Sequence, residues 1–472
     1  MKTKSFFSSN LHEIMDTEDT ICALCTAPGG ALAIIRISGP DALKAGQQVW
    51  HGRSVLGHGN ARKMLLGKIV VPENPDAPGE PCLAVFMPGP KSYTGEDTVE
   101  LHCHGGAVSP RRILSLLHSN GVRSAAPGEF TRRAFLNGKM DLTQAEAVAD
   151  LISAKSDSAA RLAERQLSGQ IGSRIRDLRA ELLPLLADSE SRLDFSEEEL
   201  DWMEPDRMID ILNSLADRLR KMLKSGENGM ILREGVTAVI AGRPNAGKSS
   251  LLNALLGFNR AIVTEIPGTT RDTLEEFTAL KGIPVRLTDT AGLREDSNDI
   301  VENMGISRSR DSMDSARFIF WVLDASDTQR ATDSAAYLKE NMPSGKMILA
   351  VWNKTDLPDS PPVLPELGVP SIRISALQGN GLENLQETFA EMVWQKGEDG
   401  GETDCEVSAR HSGLLSEALS AVEQSIAEVS VESWELAALQ LRRALFALGT
   451  VTGEDASPDI LDEIFSRFCI GK

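Results

Sequence analysis

No stretch of this sequence stays apolar for the ~20 residues that a membrane-spanning helix needs, so no membrane association is expected. The start is expected to be neither a signal peptide nor a transit peptide. MKTKSFFSSNLHEIMDTEDT has two lysines and a Phe pair, no apolar h-region, and acids close behind. Met1–Asp16 is expected to be a disordered extension, with Met15 as an alternative start, and residues 1–19 are set apart from the folded chain. Cysteine is scarce. Six in 472 residues do not make a disulfide framework, which fits a reducing, cytoplasmic setting. Basic charge is in deficit: 49 Lys and Arg face 68 Asp and Glu, a net charge of −19. That argues against broad, nonspecific nucleic-acid binding. Any RNA must meet a local basic patch, or a partner that supplies the charge. Internal repeats and low-complexity tracts are absent too.

What is present reads as about three domains at ~150 residues each. From Thr20 to about Arg133, ALAIIRIS, KMLLGKIVV, CLAVFM and DTVELHCHGG are strand-like, and RRILSLLHSNGV has helical spacing with a Gly stop. From Leu142 to about Gly229 the chain is Ala/Leu-rich and amphipathic, which is helical bundle material. From Glu234 to about Lys396 strands alternate with helical stretches: VTAVIAG, VRLTDT, RFIFWVLDA, KMILAVWNK and SIRISA. Such alternation predicts a doubly wound, mostly parallel sheet. KGEDGGETD is a polar linker, and helical sequence then runs to the end. The expected fold class is multidomain α/β. An α+β domain spans 20–135, and an all-α domain is split into 136–230 and 398–472. An α/β domain, 231–397, is inserted between its two parts.

The inserted domain carries the chemistry. GRPNAGKS, Gly242–Ser249, fits G-x-x-x-x-G-K-[ST] between a strand and the helix SSLLNALL, the context of a phosphate-binding loop. Backbone N–H groups from Asn245, Ala246, Gly247, Lys248, Ser249 and Ser250 would cradle phosphates at the helix N-terminus. Lys248 would reach the β- and γ-phosphates, a catalytic role, and Ser249 would ligate Mg²⁺. NKTD, Asn353–Asp356, follows the strand KMILAVW. The Asp356 carboxylate can accept both guanine N1–H and the exocyclic amino hydrogens, a donor pair that adenine lacks. Asn353 and Lys354 flank it, and Ser375 and Ala376 can offer backbone N–H to the guanine oxygen. The nucleotide is GTP. DTAG supplies Asp289 near Mg²⁺, then Thr290, Ala291 and the Gly292 N–H for the γ-phosphate. Thr270, in the switch segment Gly268–Asp272, can close on Mg²⁺.

Leu293 follows DTAG where Ras-type enzymes place a water-orienting glutamine. Leucine makes no hydrogen bond, so other groups must hold the water and neutralise charge. Arg271 and Arg294 could act as fingers, although both read most simply as solvated loop arginines. A bound monovalent cation is the other route. Asn245 offers a side-chain oxygen, and the loop AIVTEIPGTT offers carbonyls. Acids for the water lie in REDSNDIVENMG, among which the residues alone do not choose.

SYTGEDTVELHCHGG, PGEFTRRAFLNGKMDLTQAEAVADLI, PNAGKSSLLNAL, IPGTTRD, DTAGLR and LDEIFSRFCIGK together resemble the tRNA-modification GTPase family MnmE, also called TrmE, from about Thr20 to Lys472. The resemblance implies an N-terminal domain that binds 5-formyl-tetrahydrofolate and dimerises, giving a homodimer. It implies an FAD-dependent partner, MnmG (GidA), in a heterotetramer or larger complex. The two would build the aminomethyl or carboxymethylaminomethyl group on the wobble uridine of certain tRNAs. It also implies potassium-stimulated GTP hydrolysis as G domains dimerise. K⁺ would sit on Asn245 and the carbonyls of Thr264, Ile266 and Thr269, in a nucleotide-binding segment that includes Glu265, Pro267 and Gly268. Glu302 matches the water-orienting glutamate if EDSNDIVE holds one extra residue. Arg36, Glu100, Lys139 and Lys472 match the folate-binding positions, and Cys469 the functional tail cysteine. Two departures stand out: APGG is shorter than the usual PPGRGG and lacks its arginine, and Pro267 replaces a small residue.

Two further groups read as structural. Cys22 and Cys25 lie at i and i+3, which on a strand face opposite ways, so buried core residues are expected rather than a joint metal site. His102 and His104 would share a strand face, but no third and fourth ligands appear nearby. A ribosome-assembly GTPase would share the nucleotide motifs, yet no GXXG loop in basic surroundings is present. A non-enzymatic switch driven by an external activating protein is the other rival.

Overall fold

The computed structural model describes residues 19–70, 79–154, 156–194, 201–258, 275–289, 313, 316–343, 345–394 and 407–472. The chain divides into two compact units, one built from 1–149, 166–216 and 414–472, the other from 150–165 and 217–413.

The first unit holds a seven-stranded sheet. Its strands are β1 (Ile21–Leu24), β2 (Leu32–Ser38), β3 (Trp50–Gly52), β4 (Leu65–Ile69), β5 (Glu80–Met87), β6 (Thr98–His104) and β7 (Arg123–Ser124), in the order β3-β4-β5-β6-β2-β1-β7. Alternation decides its faces. Ala33, Ile35 and Ile37 of β2, with Val99, Leu101 and Cys103 of β6, are buried in one apolar cluster with Ile113 and Leu117 of the helix Ser109–Ser119. The intervening residues turn to the opposite face, and the register sets Arg36 directly across from Glu100. β2 and β6 lie in the middle of the sheet, so this pair sits mid-sheet rather than at an edge.

A buried charge network lies beside the sheet. Arg133, 3% exposed on the helix Glu129–Leu136, donates to the Asp19 carbonyl at 2.8 Å, the Asp19 carboxylate at 2.5 Å, Glu129 at 2.9 Å and Glu96 at 3.2 Å. Arg123 adds bonds to Glu129 and Asp19, both at 2.7 Å, and Ser38 donates to Glu96 at 2.8 Å. The helical part of this unit follows its 3.6-residue stripe. In the helix Gln170–Asp194, Ile171, Ile175, Leu178, Leu182 and Leu185 are buried, and that helix lies along Trp434–Thr452. The Arg192 guanidinium stacks 3.9 Å from the Trp434 ring centroid, a cation–π contact that ties the two helices together.

The second unit is the doubly wound sheet that the alternation predicts. Its strands are β8 (Val236–Gly242), β9 (Glu275–Leu280), β10 (Ile283–Asp289), β11 (Phe318–Asp324), β12 (Met347–Asn353) and β13 (Ser371–Arg373), in the order β13-β12-β11-β8-β10-β9. β11 is buried throughout, as a parallel strand covered on both faces should be. Apolar clusters line both faces, one around Phe320, Leu349 and Phe389, the other around Trp321, Ala350 and Leu338. One strand departs from the parallel pattern. β9 runs antiparallel to β10 through a two-residue turn, with φ 47° at Lys281 and 82° at Gly282. Two successive positive φ values are what a type I′ hairpin requires, and Gly282 meets that need without a Cβ penalty. Among the described residues no helix is long and apolar enough to cross a membrane.

Candidate functional site

Strand β8 ends in Gly242 and the helix Lys248–Phe258 begins six residues on, so Gly242–Ser249 must turn sharply. It does so with positive φ at Gly242 (139°), Asn245 (63°) and Gly247 (99°). The Lys248 ammonium arches back over the loop and donates to the Gly242 and Arg243 carbonyls at 3.1 and 3.0 Å. Asn245, Ser249 and Ser250 face solvent, and Ala246 is buried.

The segment after β12 clamps this loop from the side. Asn353, 3% exposed, donates to the Ala246 carbonyl at 3.0 Å and accepts from the Ala376 N–H at 3.0 Å. One side chain thus joins the phosphate loop to the Ser375–Ala376 turn. Lys354, at φ 66°, donates to the Asn245 carbonyl at 2.6 Å and to the Asp324 carboxylate at 2.7 Å. Asp324 also accepts from the Ser326 N–H at 2.9 Å. Burial pushes the Asp324 carboxyl up, but its bonds to Lys354 and Ser326 outweigh that and hold it below the usual carboxylate range. Asp356 stays near the surface, where Gln378 donates to it at 3.4 Å. Ser375, 1% exposed, anchors its own turn, accepting from the Gln378 N–H at 3.1 Å. Asp289 closes β10 in register with Ile240 of β8, next to the strand that feeds the loop. Backbone N–H groups, a helix N-terminus, an ammonium and an exposed carboxylate on rigid strand ends can together hold a guanine nucleotide.

The remaining residues expected here lie outside the described residues: Thr264, Glu265, Ile266, Pro267, Gly268, Thr269, Thr270, Thr290, Ala291, Gly292 and Glu302, with Arg271, Leu293 and Arg294.

Gly247 tests the clamp. A Cβ there would stand 2.1 Å from Asn353 Nδ2, on a backbone at φ +99°. Gly247→Ala must displace Asn353 and strain the loop, together about 3 kcal/mol. Fluorescent GDP should bind roughly 100-fold more weakly. Undiminished affinity would show that Asn353 does not hold the loop.

A second cluster lies on the sheet of the first unit. Arg36 donates to Glu100 Oε1 through Nε at 2.9 Å, with a second guanidinium nitrogen at 2.8 Å, and both side chains are 16% exposed. The guanidinium lies over the rings of Tyr93, 5.0 Å away, and Phe130, 5.6 Å away. His102 Nε2 is 3.4 Å from Glu100 Oε2, a pairing that is ionic only when the imidazole is protonated. His102 and then Arg36 hold the Glu100 carboxyl below its usual range against the effect of burial. The tail arrives at the same place. The Phe130 N–H donates to the main-chain oxygen of Lys472 at 3.2 Å, and the Gly128 N–H to the carbonyl of Cys469 at 3.5 Å. Gly471, at φ 99°, passes so close that a Cβ would lie 2.3 Å from the Leu24 carbonyl. Cys25 records the convergence: burial raises its thiol, Arg36 and Lys472 lower it, and Glu100 raises it.

The structure therefore brings together Arg36, Glu100 and Lys472. Lys139 donates to the Pro90 carbonyl at 2.8 Å, and Cys469 is exposed. Cys22 is buried as expected, with Sγ 4.0 Å from His118 Nδ1, whereas Cys25 is only half-buried and belongs to the Arg36 neighbourhood. Among the described residues no group of three or more His, Cys, Asp or Glu could hold a metal ion, and His104 pairs with Glu80 at 3.2 Å instead. Tyr93, Phe130 and Asp324 were missed from sequence. Tyr93 lies in SYTGEDTVELHCHGG, Phe130 in PGEFTRRAFLNGKM and Asp324 at the end of RFIFWVLD, but none sits in a spacing that marks chemistry.

The MnmE helical domain family matches residues 142–469, and the family described as the GTP-binding protein TrmE N-terminus matches 20–139. The tRNA modification GTPase MnmE of Natranaerobius thermophilus is 45% identical, over 97% of this chain and 100% of its own. Those of Clostridioides difficile and Geobacter sulfurreducens are each 42% identical, again over 97% of this chain and all of theirs.

Proposed function

The chain belongs to the MnmE family of tRNA modification GTPases, and from that premise we propose that it binds and hydrolyses GTP in a potassium-stimulated step. With an FAD-dependent partner, MnmG, it adds the aminomethyl or carboxymethylaminomethyl group at C5 of the wobble uridine of certain tRNAs. Hydrolysis drives G-domain dimerisation and conformational cycling in a cytoplasmic homodimer.

The roles follow from the residues. Asp356 reads guanine, Asn353 and Lys354 hold the loop that carries the phosphates, and Lys248 meets their charge. Ser249, with Asp289 nearby and Thr270, would hold Mg²⁺, which shields the phosphate oxygens. Asn245, with the carbonyls of Thr264, Ile266 and Thr269, would hold K⁺ as the positive charge that an arginine finger supplies elsewhere. Glu302 would orient the attacking water. The boundaries 20–135, 136–230, 231–397 and 398–472 divide the chain into folate-binding, helical, GTPase and helical parts.

One observation carries the modification reading beyond a bare GTPase: the tail reaches Phe130 and Gly128 beside the Arg36–Glu100 pair. A cation, a carboxylate and two aromatic rings suit a folate, whose pterin stacks and hydrogen-bonds while its glutamate is anionic. Lys139 and Lys472 add positive charge for that end. The test is binding of 5-formyl-tetrahydrofolate to the full chain by calorimetry. Arg36→Met should weaken it about 10- to 100-fold, the worth of one charged hydrogen bond, with GTP turnover unchanged. A wild-type chain that binds no folate would remove the one-carbon role while leaving the GTPase reading intact.

A further inference from the structure

Asp324 belongs to none of the nucleotide motifs, yet it sits behind one of them. It ends β11, and its side chain is 13% exposed. Both of its oxygens are committed, Oδ1 to the Ser326 N–H and Oδ2 to the Lys354 ammonium. Lys354 spends a second donor on the Asn245 carbonyl. Both residues at that contact have left-handed backbones, Asn245 at φ 63° and Lys354 at 66°. Such a conformation is disfavoured for an L residue, so each needs its surroundings to hold it there.

We propose that Asp324 is a positioning residue that acts through Lys354 to lock the phosphate loop at Asn245. A flexible four-carbon stem leaves an unheld ammonium many rotamers. The fixed carboxylate at the end of a buried strand selects the one that reaches the loop carbonyl. Asn245 then presents its side chain from a backbone that cannot swing. Arg330, 3.8 Å from the same Oδ2, is 61% exposed and bonds to Ser326 and Asp327, so it balances charge at the rim without reaching the loop. The consequence for cation binding rests on the potassium reading of Asn245; the consequence for nucleotide retention does not.

The experiment compares wild type, Asp324→Asn and Asp324→Glu as full chains. The first readout is release of fluorescent GDP in sodium chloride. Asp324→Asn should release it roughly 5- to 20-fold faster, since a charged hydrogen bond is replaced by a weaker one. Asp324→Glu keeps the charge and should stay within about 3-fold of wild type. The second readout is the potassium concentration for half-maximal turnover at saturating GTP, which should rise several-fold in Asp324→Asn only. A role confined to packing would lower the melting temperature of both variants and move neither readout. Unchanged GDP release in Asp324→Asn overturns the proposal. If wild type shows no potassium stimulation, the potassium reading falls and GDP release alone decides the role of Asp324.

Discussion

GTP turnover should rise about 100-fold or more when sodium chloride is replaced by potassium chloride at equal ionic strength, and Asn245→Ala should abolish the rise. The size follows from what the cation replaces: an arginine finger accelerates hydrolysis about 10³- to 10⁵-fold. Leu293 offers no hydrogen bond, so the unaided site must be slow. Asn245 is exposed in the phosphate loop, with its carbonyl pinned by Lys354. Asparagine visits the left-handed region more readily than alanine, so Asn245→Ala also strains the loop. Asn245→Asp separates the two effects, because it keeps a ligand oxygen and tolerates the backbone. It should retain potassium stimulation, while GDP affinity in sodium reports strain alone. Equal, slow turnover in both salts would sink the potassium mechanism. The missing charge would then have to come from Arg271, Arg294 or an activating partner.

The second large effect is on stability. Arg133→Met should cost about 3–5 kcal/mol, because it leaves carboxylates of the buried network without their central cation. At 2–4 °C per kcal/mol for a unit of this size, the first unit should melt roughly 10 °C lower. The pH dependence carries a sign. Burial raises the carboxyls of Asp19 and Glu129, but bonds from Arg123 and Arg133 outweigh it, and both end below their usual values. Their contribution is therefore fully present above the ordinary carboxylate range, near pH 4, and is lost as pH falls through the lowered folded values. Wild type should weaken steeply below about pH 4, and Arg133→Met should show a shallower fall. Thermal melts by circular dichroism at pH 7 and across pH 2–5 decide it. Equal melting temperatures at pH 7 would mean that the network contributes nothing net.

Local signals made much of this legible. The seven-residue strand runs, the turn at Gly242–Ser249 and the NKTD segment each declare themselves within about ten residues, because backbone conformation and periodicity are local properties. The hairpin at Lys281–Gly282 is also local, but only its second strand, VRLTDT, reads as one, because EEFTAL does not alternate. The Arg36 cluster is different in kind. Tyr93 and Phe130 meet Arg36 only through sheet register and the return of a distant helix, so nothing in their spacing marks them. Asp324 escaped for the same reason, since its partner Lys354 arrives one strand later in the sheet. The potassium carbonyls and Glu302 remain expectations, as they lie outside the described residues.

The tail contact has a consequence in time. Gly128 and Cys469 are separated by roughly 340 residues, and the whole second unit lies between them in the sequence. At 5–20 residues per second, a ribosome needs about 20 to 70 s to cover that distance. The sheet with Arg36 and Glu100 can form early, but Leu24 and Gly128 must wait for Gly471 and Cys469. A nascent chain thus holds the Arg36 face open for most of its synthesis and closes it only after the nucleotide unit has emerged. Ligand capture at that face would mark a finished molecule rather than a growing one.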